Sequence, residues 1–212
     1  MPRNVLLLAL LAAFATVAIS ANAVRPPLQQ FQGVPIQEKP DEIAMWGDGD
    51  SFKDIFESIT VRGSSALPAR EGNYYNASRA HDLSLQSAWV EGAQGDGIGE
   101  YLEYTARVTT DHHPDDAAIT HLIVFNGYRK TRDLWRKNNR IRRLHLSIDG
   151  KPYGIVTLAD SYSQQELKLG TIKLPPHTKT LRLRFTIESV YPGTQYRDTA
   201  LTELEFGGTG IY

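Results

Sequence analysis

The stretch that decides the fold is SAWVEGAQGDGIGEYLEY, residues 87–104. Its glycines invite comparison with a phosphate-binding loop, which directs its amides from the N-terminus of a helix. Here residues 100–105 have a strand composition, and the carboxylates of Glu91, Asp96 and Glu100 would repel an anion. The sequence therefore predicts a corner in which glycines adopt positive φ and lead into a β-strand.

Beyond residue 51 the sequence consists of short runs with period-two alternation, separated by Gly, Pro, Asn and Asp. Asp149-Gly150 is a hairpin turn signal between two of these runs. No helical period of useful length accompanies them. Eight strands without helices predict an all-β jelly-roll β-sandwich. We expect strands near residues 57–62, 100–108, 119–125, 141–148, 153–159, 165–169, 181–190 and 201–206.

The N-terminal part of the chain has two different compositions. Residues 1–23 contain one basic residue, an apolar run and small residues before Val24, as in a secretory signal peptide. The run is too short for a membrane span, so we expect a secreted or periplasmic protein with no span after signal removal. Residues 24–50 are rich in Pro and Gln and are predicted to be a loosely structured tether, followed by one domain at residues 51–212.

Composition excludes several functional classes. The 212 residues carry 23 Lys and Arg against 24 Asp and Glu, so bulk charge argues against a nucleic-acid partner. There is no cysteine, and therefore neither a disulfide nor a thiol nucleophile. Four carboxylates could supply a glycosidase pair, but no catalytic motif distinguishes two of them: Glu91, Asp96, Glu100 and Glu103. We therefore predict that the protein is not an enzyme.

The most unusual local charge is a basic segment at residues 129–143, whose eight Arg and Lys residues face a single acid, Asp133. Aromatic faces beside Arg and Asn donors suit a sugar ring. The alternative is a solvated loop whose Trp135 fills the core. The predicted ligand-binding residues are Tyr128, Arg129, Trp135, Arg136, Asn138 and Arg140, joined by Tyr196 and Arg197 from the loop before the last strand.

Several segments also carry a family resemblance in one continuous order. They include Ser64-Ser65, residues 75–82, residues 87–92 and 95–100, FNGY at 125–128, WRKNNR at 135–140, YPG at 191–193 and DTALTEL at 198–204. Together they resemble the discoidin-like (coagulation factor C-type, galactose-binding-like) domains of the NAD-glycohydrolase-type glycan-binding or translocation family. The resemblance implies a secreted, non-catalytic carbohydrate-binding module. The alternatives are an envelope structural module that binds an acidic protein surface and, third, a glycoside hydrolase.

The resemblance also implies a structural Ca²⁺, held by Asp82, Glu203 and carbonyls of residues 84–87. Oxygen ligands suit this hard cation. Alternatively, Asp82 caps the turn and Glu203 pairs with a nearby arginine. Leu83 departs from the family, which has glycine at this position, and a leucine adopts positive φ only at a cost. We therefore expect the local turn to differ from that of the family.

Overall fold

The computed structural model describes residues 27–36, 56–108, 118–173 and 180–209. Within these residues the chain forms eleven β-strands, a 3-10 turn at Ala77–Ala80 and a short helix, α1, at Arg132–Lys137. The strands are β1 (Gln29–Gln32), β2 (Val34–Pro35), β3 (Phe56–Gly63), β4 (Trp89–Val90), β5 (Tyr101–Val108), β6 (Ala118–Asn126), β7 (Asn139–Ile148), β8 (Lys151–Thr157), β9 (Gln165–Lys173), β10 (Thr180–Tyr191) and β11 (Thr199–Thr209).

The strands form two layers of a sandwich. One layer has the order β8-β7-β10-β5-β3, antiparallel throughout, and the other places β9, β6 and β11 side by side. The start of β11 links the layers, because its residues Thr199 and Ala200 pair in parallel with β7 while residues 203–209 pair with β6. The sandwich is therefore continuous along one side through hydrogen bonds.

Alternating side chains from both layers fill the space between the sheets. In β10, Leu181, Leu183 and Phe185 are buried, whereas the residues between them face outward. Tyr104 of β5 packs edge-on against Phe185 and Phe206, which brings the two layers into one aromatic contact. The strict period of two is what the sequence predicted for a sheet with one wet face.

The all-β sandwich and all eight predicted strands are confirmed, with boundaries that shift by a few residues. Asp149 and Gly150 both have positive φ, as the predicted hairpin turn requires. The helix α1 was not predicted, since six residues are too short to show a helical period. Thr131 caps it by accepting a hydrogen bond from the Leu134 amide.

The predicted loose tether is wrong over the part of it that the structure describes. The strand β1 adds in parallel to the edge of β8, and β2 adds antiparallel to β9. Phe31 is buried and stacks on Tyr153, in a place that exists because Gly154 has no side chain. A single buried aromatic within a polar, proline-rich segment has no periodic signal, which is why the docking could not be predicted.

The predicted signal peptide and the rest of the tether lie outside the described residues. Across the part of the chain that the structure does describe, no helix has the length and apolar character needed to cross a membrane.

Candidate functional site

The glycine-rich corner is a turn that depends on the backbone freedom of its glycines. Gly95, Gly97 and Gly99 all have positive φ, and β5 begins directly after the corner. The fully buried Glu91 carboxylate accepts hydrogen bonds from the Thr199 amide at 3.1 Å and the Ala93 amide at 2.7 Å. The predicted corner is thus confirmed, and its carboxylate fastens it to the first residue of β11.

The basic segment does not form one solvated loop. After Tyr128 it folds into α1 and then enters β7, so its residues divide between the surface and the interior. Tyr128 is buried and meets Tyr75 edge-on at 6.2 Å. Asn138 ends α1 by donating its side-chain amide to the Leu134 carbonyl at 2.9 Å.

Two arginines of the segment are engaged inside the fold. Arg140 is 7% exposed and forms a two-point ion pair with Asp160 at 3.0 and 2.8 Å. It also donates to the Pro192 carbonyl at 3.0 Å. Arg129 is 4% exposed and lies 4.7 Å from the centre of the Phe125 ring. Tyr128, Arg129, Asn138 and Arg140, four of the predicted ligand-binding residues, therefore support the fold, because burial removes their side chains from a ligand.

Trp135 combines features of both of its predicted roles. Its indole N–H donates to the Asn126 carbonyl at 3.0 Å, and the Arg140 guanidinium lies 4.7 Å from its ring. It packs so closely on Gly127 that a side chain there would overlap the indole. Tyr162 meets its edge at 5.7 Å. Trp135 is thus half-buried and held from several sides, and it acts mainly as an anchor.

The remaining predicted residues come together at the surface. The amides of Thr194, Gln195 and Tyr196 donate to the carbonyls of Arg136 and Lys137 at 2.8–3.2 Å. These bonds join the C-terminal end of α1 to the loop before β11. Arg136, Tyr196 and Arg197 are exposed side chains of this joined surface, which we call the α1 surface.

Arg197 also connects the α1 surface to the glycine-rich corner. Its guanidinium makes a two-point ion pair with Asp96 at 2.8 and 2.7 Å. Hydrogen bonds from Arg197 and Asn139 lower the pKa of Asp96, so that carboxyl is ionised. Asn139 further accepts from the Gly193 amide at 2.7 Å and donates to the Arg197 carbonyl. Asn139 therefore organises the surface, although the sequence did not mark it above its neighbours.

Sequence reasoning missed two further residues that shape this region. Asp160 holds Arg140, and the Tyr162 ring lies 4.4 Å from the guanidiniums of both Arg129 and Arg132. Asp160 and Tyr162 both come from the loop between β8 and β9, which follows the basic segment in the sequence. The only signal for them was the surplus of arginines that needed partners.

The two predicted metal residues do lie together. The Ser84 amide donates to both Asp82, at 3.1 Å, and Glu203, at 2.9 Å. Burial, together with the Asp82 carboxyl that faces it, raises the pKa of Glu203 to about 9. Arg79 pairs with Asp82 at 3.0 Å, and Ser87 donates to it. One Glu203 oxygen, Oε2, is buried without a hydrogen bond.

This acidic pair matches Ca²⁺ in donor type, since both side chains offer oxygen and one of the oxygens is unsatisfied. Among the described residues no group of three or more His, Cys, Asp or Glu side chains is arranged to hold a metal. A cation would therefore need backbone carbonyls as well. Leu83 adopts φ 61°, so the leucine takes a backbone conformation normally given to glycine.

The four carboxylates considered for glycoside hydrolysis all have internal partners. Burial raises the pKa of Glu91, a property of an acid catalyst, but this side chain has no exposed surface. Ser64 donates to Glu100 at 2.6 Å, and Ser65 donates to the same oxygen. Glu103 accepts from Arg62 and Arg184. None of them is presented as an acid and base pair around a groove.

A two-layer antiparallel sandwich whose loops gather around the start of its last strand is the architecture of discoidin-like, or F5/8 type C, domains. Residues 54–207 match the family described as the NAD glycohydrolase translocation F5/8 type C domain. This match covers most of the chain, and the chain belongs to that family. The resemblance inferred from the sequence motifs is confirmed. No curated protein matches the chain.

Solved structures with a similar course of the chain include two structures of the arabinofuranosyltransferase AftD from Mycobacteria. Their identities are 19% and 21%, their TM-scores are 0.43 and 0.44, and each match covers 72% of this chain and 11% of that one. The β-galactosidase BgaA of Streptococcus pneumoniae matches over 73% of this chain and 99% of the other, with 8% identity and a TM-score of 0.37. The chain thus spans about a ninth of the length of the transferase.

Proposed function

We propose that this protein is an exported, non-catalytic glycan-binding module that uses the α1 surface. Glycan binding is the function that the F5/8 type C family suggests, and the N-terminal sequence pattern supports export to the periplasm or beyond the cell. The ligand-facing residues are Arg136, Tyr196 and Arg197. Trp135 holds the surface in place from below.

The observation that carries the proposal is the backbone connection between α1 and the loop before β11. Three amide-to-carbonyl bonds fix the loop on the helix, so an aromatic ring and two guanidiniums project from a rigid base. Tyr196 is 41% exposed, so much of its ring is accessible to a ligand. An exposed ring flanked by Arg donors is suited to a sugar, whose C–H face stacks while its hydroxyls accept hydrogen bonds.

The test is a glycan array probed with the full chain and with two matched variants. Tyr196→Ala removes the exposed ring of the α1 surface, whereas Tyr74→Ala removes a ring that is 59% exposed in a different loop. We expect sugar-selective binding that is lost in Tyr196→Ala and kept in Tyr74→Ala. Equal binding by both folded variants would refute the α1 surface as the site. Trp135→Ala is a poor probe, since it also removes internal contacts.

A protein partner is the second candidate, and the exposure of Ile98 favours it. This side chain is 58% exposed on the corner to which Arg197 is joined through Asp96, so an exposed apolar group accompanies the α1 surface. A protein with an acidic surface would pair with Arg136 and cover Ile98. If binding to a purified envelope partner survives an excess of soluble sugar, the protein-partner function replaces the glycan function.

We further propose that Ca²⁺ binds to Asp82, Glu203 and carbonyls of residues 84–87, as a structural ion. The unsatisfied Glu203 oxygen supports it, because a buried carboxyl oxygen without a hydrogen-bond partner costs free energy that a cation would recover. Thermal unfolding with and without EDTA, followed by added Ca²⁺, tests it. We expect the melting temperature to fall with EDTA and to return with Ca²⁺, and an unchanged transition would exclude the ion.

A further inference from the structure

The outer face of the β3-β5-β10-β7 layer carries a row of charged side chains far from the α1 surface. The strand register aligns Arg62 of β3 with Glu103 of β5, Glu103 with Arg184 of β10, and Arg184 with Ser147 of β7. Arg184 lies seven residues before Tyr191 on β10, which separates this row from the α1 end of the strand by about 23 Å.

Two arginines of the row share one acid. Arg62 reaches one Glu103 oxygen at 2.6 and 2.9 Å, and Arg184 reaches the other at 2.7 and 2.8 Å. Although burial acts to raise the pKa of Glu103, these hydrogen bonds outweigh it and lower the pKa, so the carboxylate is ionised. One negative charge cannot neutralise two guanidiniums.

A third arginine lies beside the row and is hardly engaged. Arg182 is 3.9 Å from Asp149, beyond hydrogen-bond distance, and its side chain is 60% exposed. With Arg62, Arg184 and Glu103 it lines a cleft of about 260 Å³ on the face of the sheet. Three arginines and two acids leave this cleft with one surplus positive charge.

Two of the three guanidiniums are also fixed in advance. Arg184 lies 4.0 Å from the centre of the Tyr101 ring, and both Arg62 and Arg184 use only their Nε and one terminal nitrogen on Glu103. Since a guanidinium has five N–H donors, each keeps further donors for a ligand. Fixing donors before binding lowers the entropy lost when an anion arrives.

We infer that this cleft, formed by Arg62, Arg182 and Arg184, is an anion-binding site that takes the sulfate or carboxylate group of an acidic saccharide. A guanidinium fork matches the paired oxygens of either group. The cleft volume of about 260 Å³ lies below the roughly 300 Å³ lower bound for small-ligand pockets, so the cleft takes the anionic group and not a whole saccharide. That the anion belongs to a saccharide rests on the proposed glycan function, whereas the anion site itself does not.

The experiment begins with inorganic sulfate titrated into the full chain at constant ionic strength, followed through the arginine Nε–H NMR signals. Arg182→Gln removes the least engaged arginine, and Lys168→Gln removes an exposed positive charge from β9 in the other layer. We expect sulfate to shift the signals of all three arginines. Its affinity should fall about tenfold in Arg182→Gln, the loss of one charge-assisted hydrogen bond, and stay unchanged in Lys168→Gln. Equal affinities in the two variants, or no shift in wild type, would overturn the site.

A second arm separates this inference from the proposed function. Sulfated, carboxylated and neutral saccharides of equal length are compared on the wild type, Arg182→Gln and Tyr196→Ala. We expect Arg182→Gln to weaken only the charged saccharides, and Tyr196→Ala to remove neutral binding while leaving sulfate affinity intact. If sulfate binds but charged saccharides bind no better than neutral ones, the saccharide assignment is wrong. If no saccharide binds at all, the glycan function fails and the anion site remains.

Discussion

The glycine-rich corner at residues 91–99 and the basic segment at residues 129–143 both suggest ligand binding when read as sequence, yet the fold uses them in different ways. In the corner, the glycines serve the backbone, and their positive φ angles follow from local rules. In the basic segment, whether an arginine is buried or exposed depends on a partner elsewhere in the chain. Arg140 is enclosed by Asp160 and Pro192, while Arg136 stays exposed.

The difference teaches that residue type alone does not identify a site. A glycine reports a conformational requirement at its own position, so its meaning is local. An arginine in the sequence indicates only a positive charge that needs a partner. That partner is either a ligand or another part of the fold. The predictions below test this contrast, beginning with the largest expected effect.

Gly97→Ala should be the most damaging of these changes. A methyl group at Gly97 would lie 2.6 Å from the Glu91 carboxyl carbon, and φ there is 67°. Positive φ and overpacking together should lower the free energy of unfolding by about 3 kcal/mol. Gly72→Ala is the control, since its φ of 78° is close to that of Gly97 but nothing lies within 4 Å, and it should cost only about 1–2 kcal/mol. If both variants lose the same free energy of unfolding in urea, the close packing of Gly97 against Glu91 does not contribute to stability.

Arg140→Gln tests the basic segment in the same way. It removes the ion pair with Asp160 and the contact with Trp135, and should lower the free energy of unfolding by about 2 kcal/mol. Arg136→Gln, which changes the same residue type on the exposed side of α1, should change it by less than about 0.5 kcal/mol. Chemical denaturation of both variants provides the comparison. If Arg136→Gln is the more damaging change, the division between buried and exposed arginines is wrong.

Two acids of the corner should titrate with opposite effects on stability. Burial raises the pKa of Glu91, so its contribution to stability is fully present below its unfolded pKa and is lost as pH rises through the folded pKa. Glu91→Gln has one side-chain oxygen in place of two, so it cannot accept both amide hydrogen bonds in the same way and should have a lower free energy of unfolding than wild type. This deficit should shrink between pH 4 and pH 8. Asp96 has a lowered pKa, so its contribution to stability is present above its unfolded pKa and is lost as pH falls through the folded pKa. The deficit of Asp96→Asn should therefore grow as pH rises from about 2 to 5 and stay constant above that range. Denaturation at several pH values measures both, and deficits that move in the same direction would contradict the assignment.

Much of the fold could be predicted because its determinants are local. Alternation placed the core face of β10, and Asp149-Gly150 placed a hairpin turn, since both patterns are complete within a few residues. The docking of Phe31 could not be predicted, because its pocket is created by Gly154 more than a hundred residues away. The helix α1 was missed because it buries no residue and shows no period.

The candidate site was less predictable than the fold. The sequence identified the basic segment and associated it with Tyr196 and Arg197, and three of the eight residues it named form the α1 surface. It could not reveal that Asp160 binds Arg140 and that the Tyr162 ring packs on Arg129. Asp160 and Tyr162 come from a loop between two other strands, so nothing near the arginines in the sequence indicates these contacts. It also gave no sign of the row from Arg62 to Arg184, which exists only through strand register.

Leu83 offers the smallest and most exacting test, because it adopts the glycine conformation without being glycine. Its φ of 61° costs about 1–2 kcal/mol for a residue with a Cβ, and its side chain is 44% exposed, so little packing repays the strain. Leu83→Gly should therefore raise the free energy of unfolding by about 0.5–1 kcal/mol, after the larger entropy of glycine in the unfolded chain is subtracted. Leu83→Ala keeps the strain and should gain nothing. Should the alanine variant match the glycine variant in urea unfolding, the side chain rather than the backbone is the cause, and the parallel with the glycine-rich corner fails.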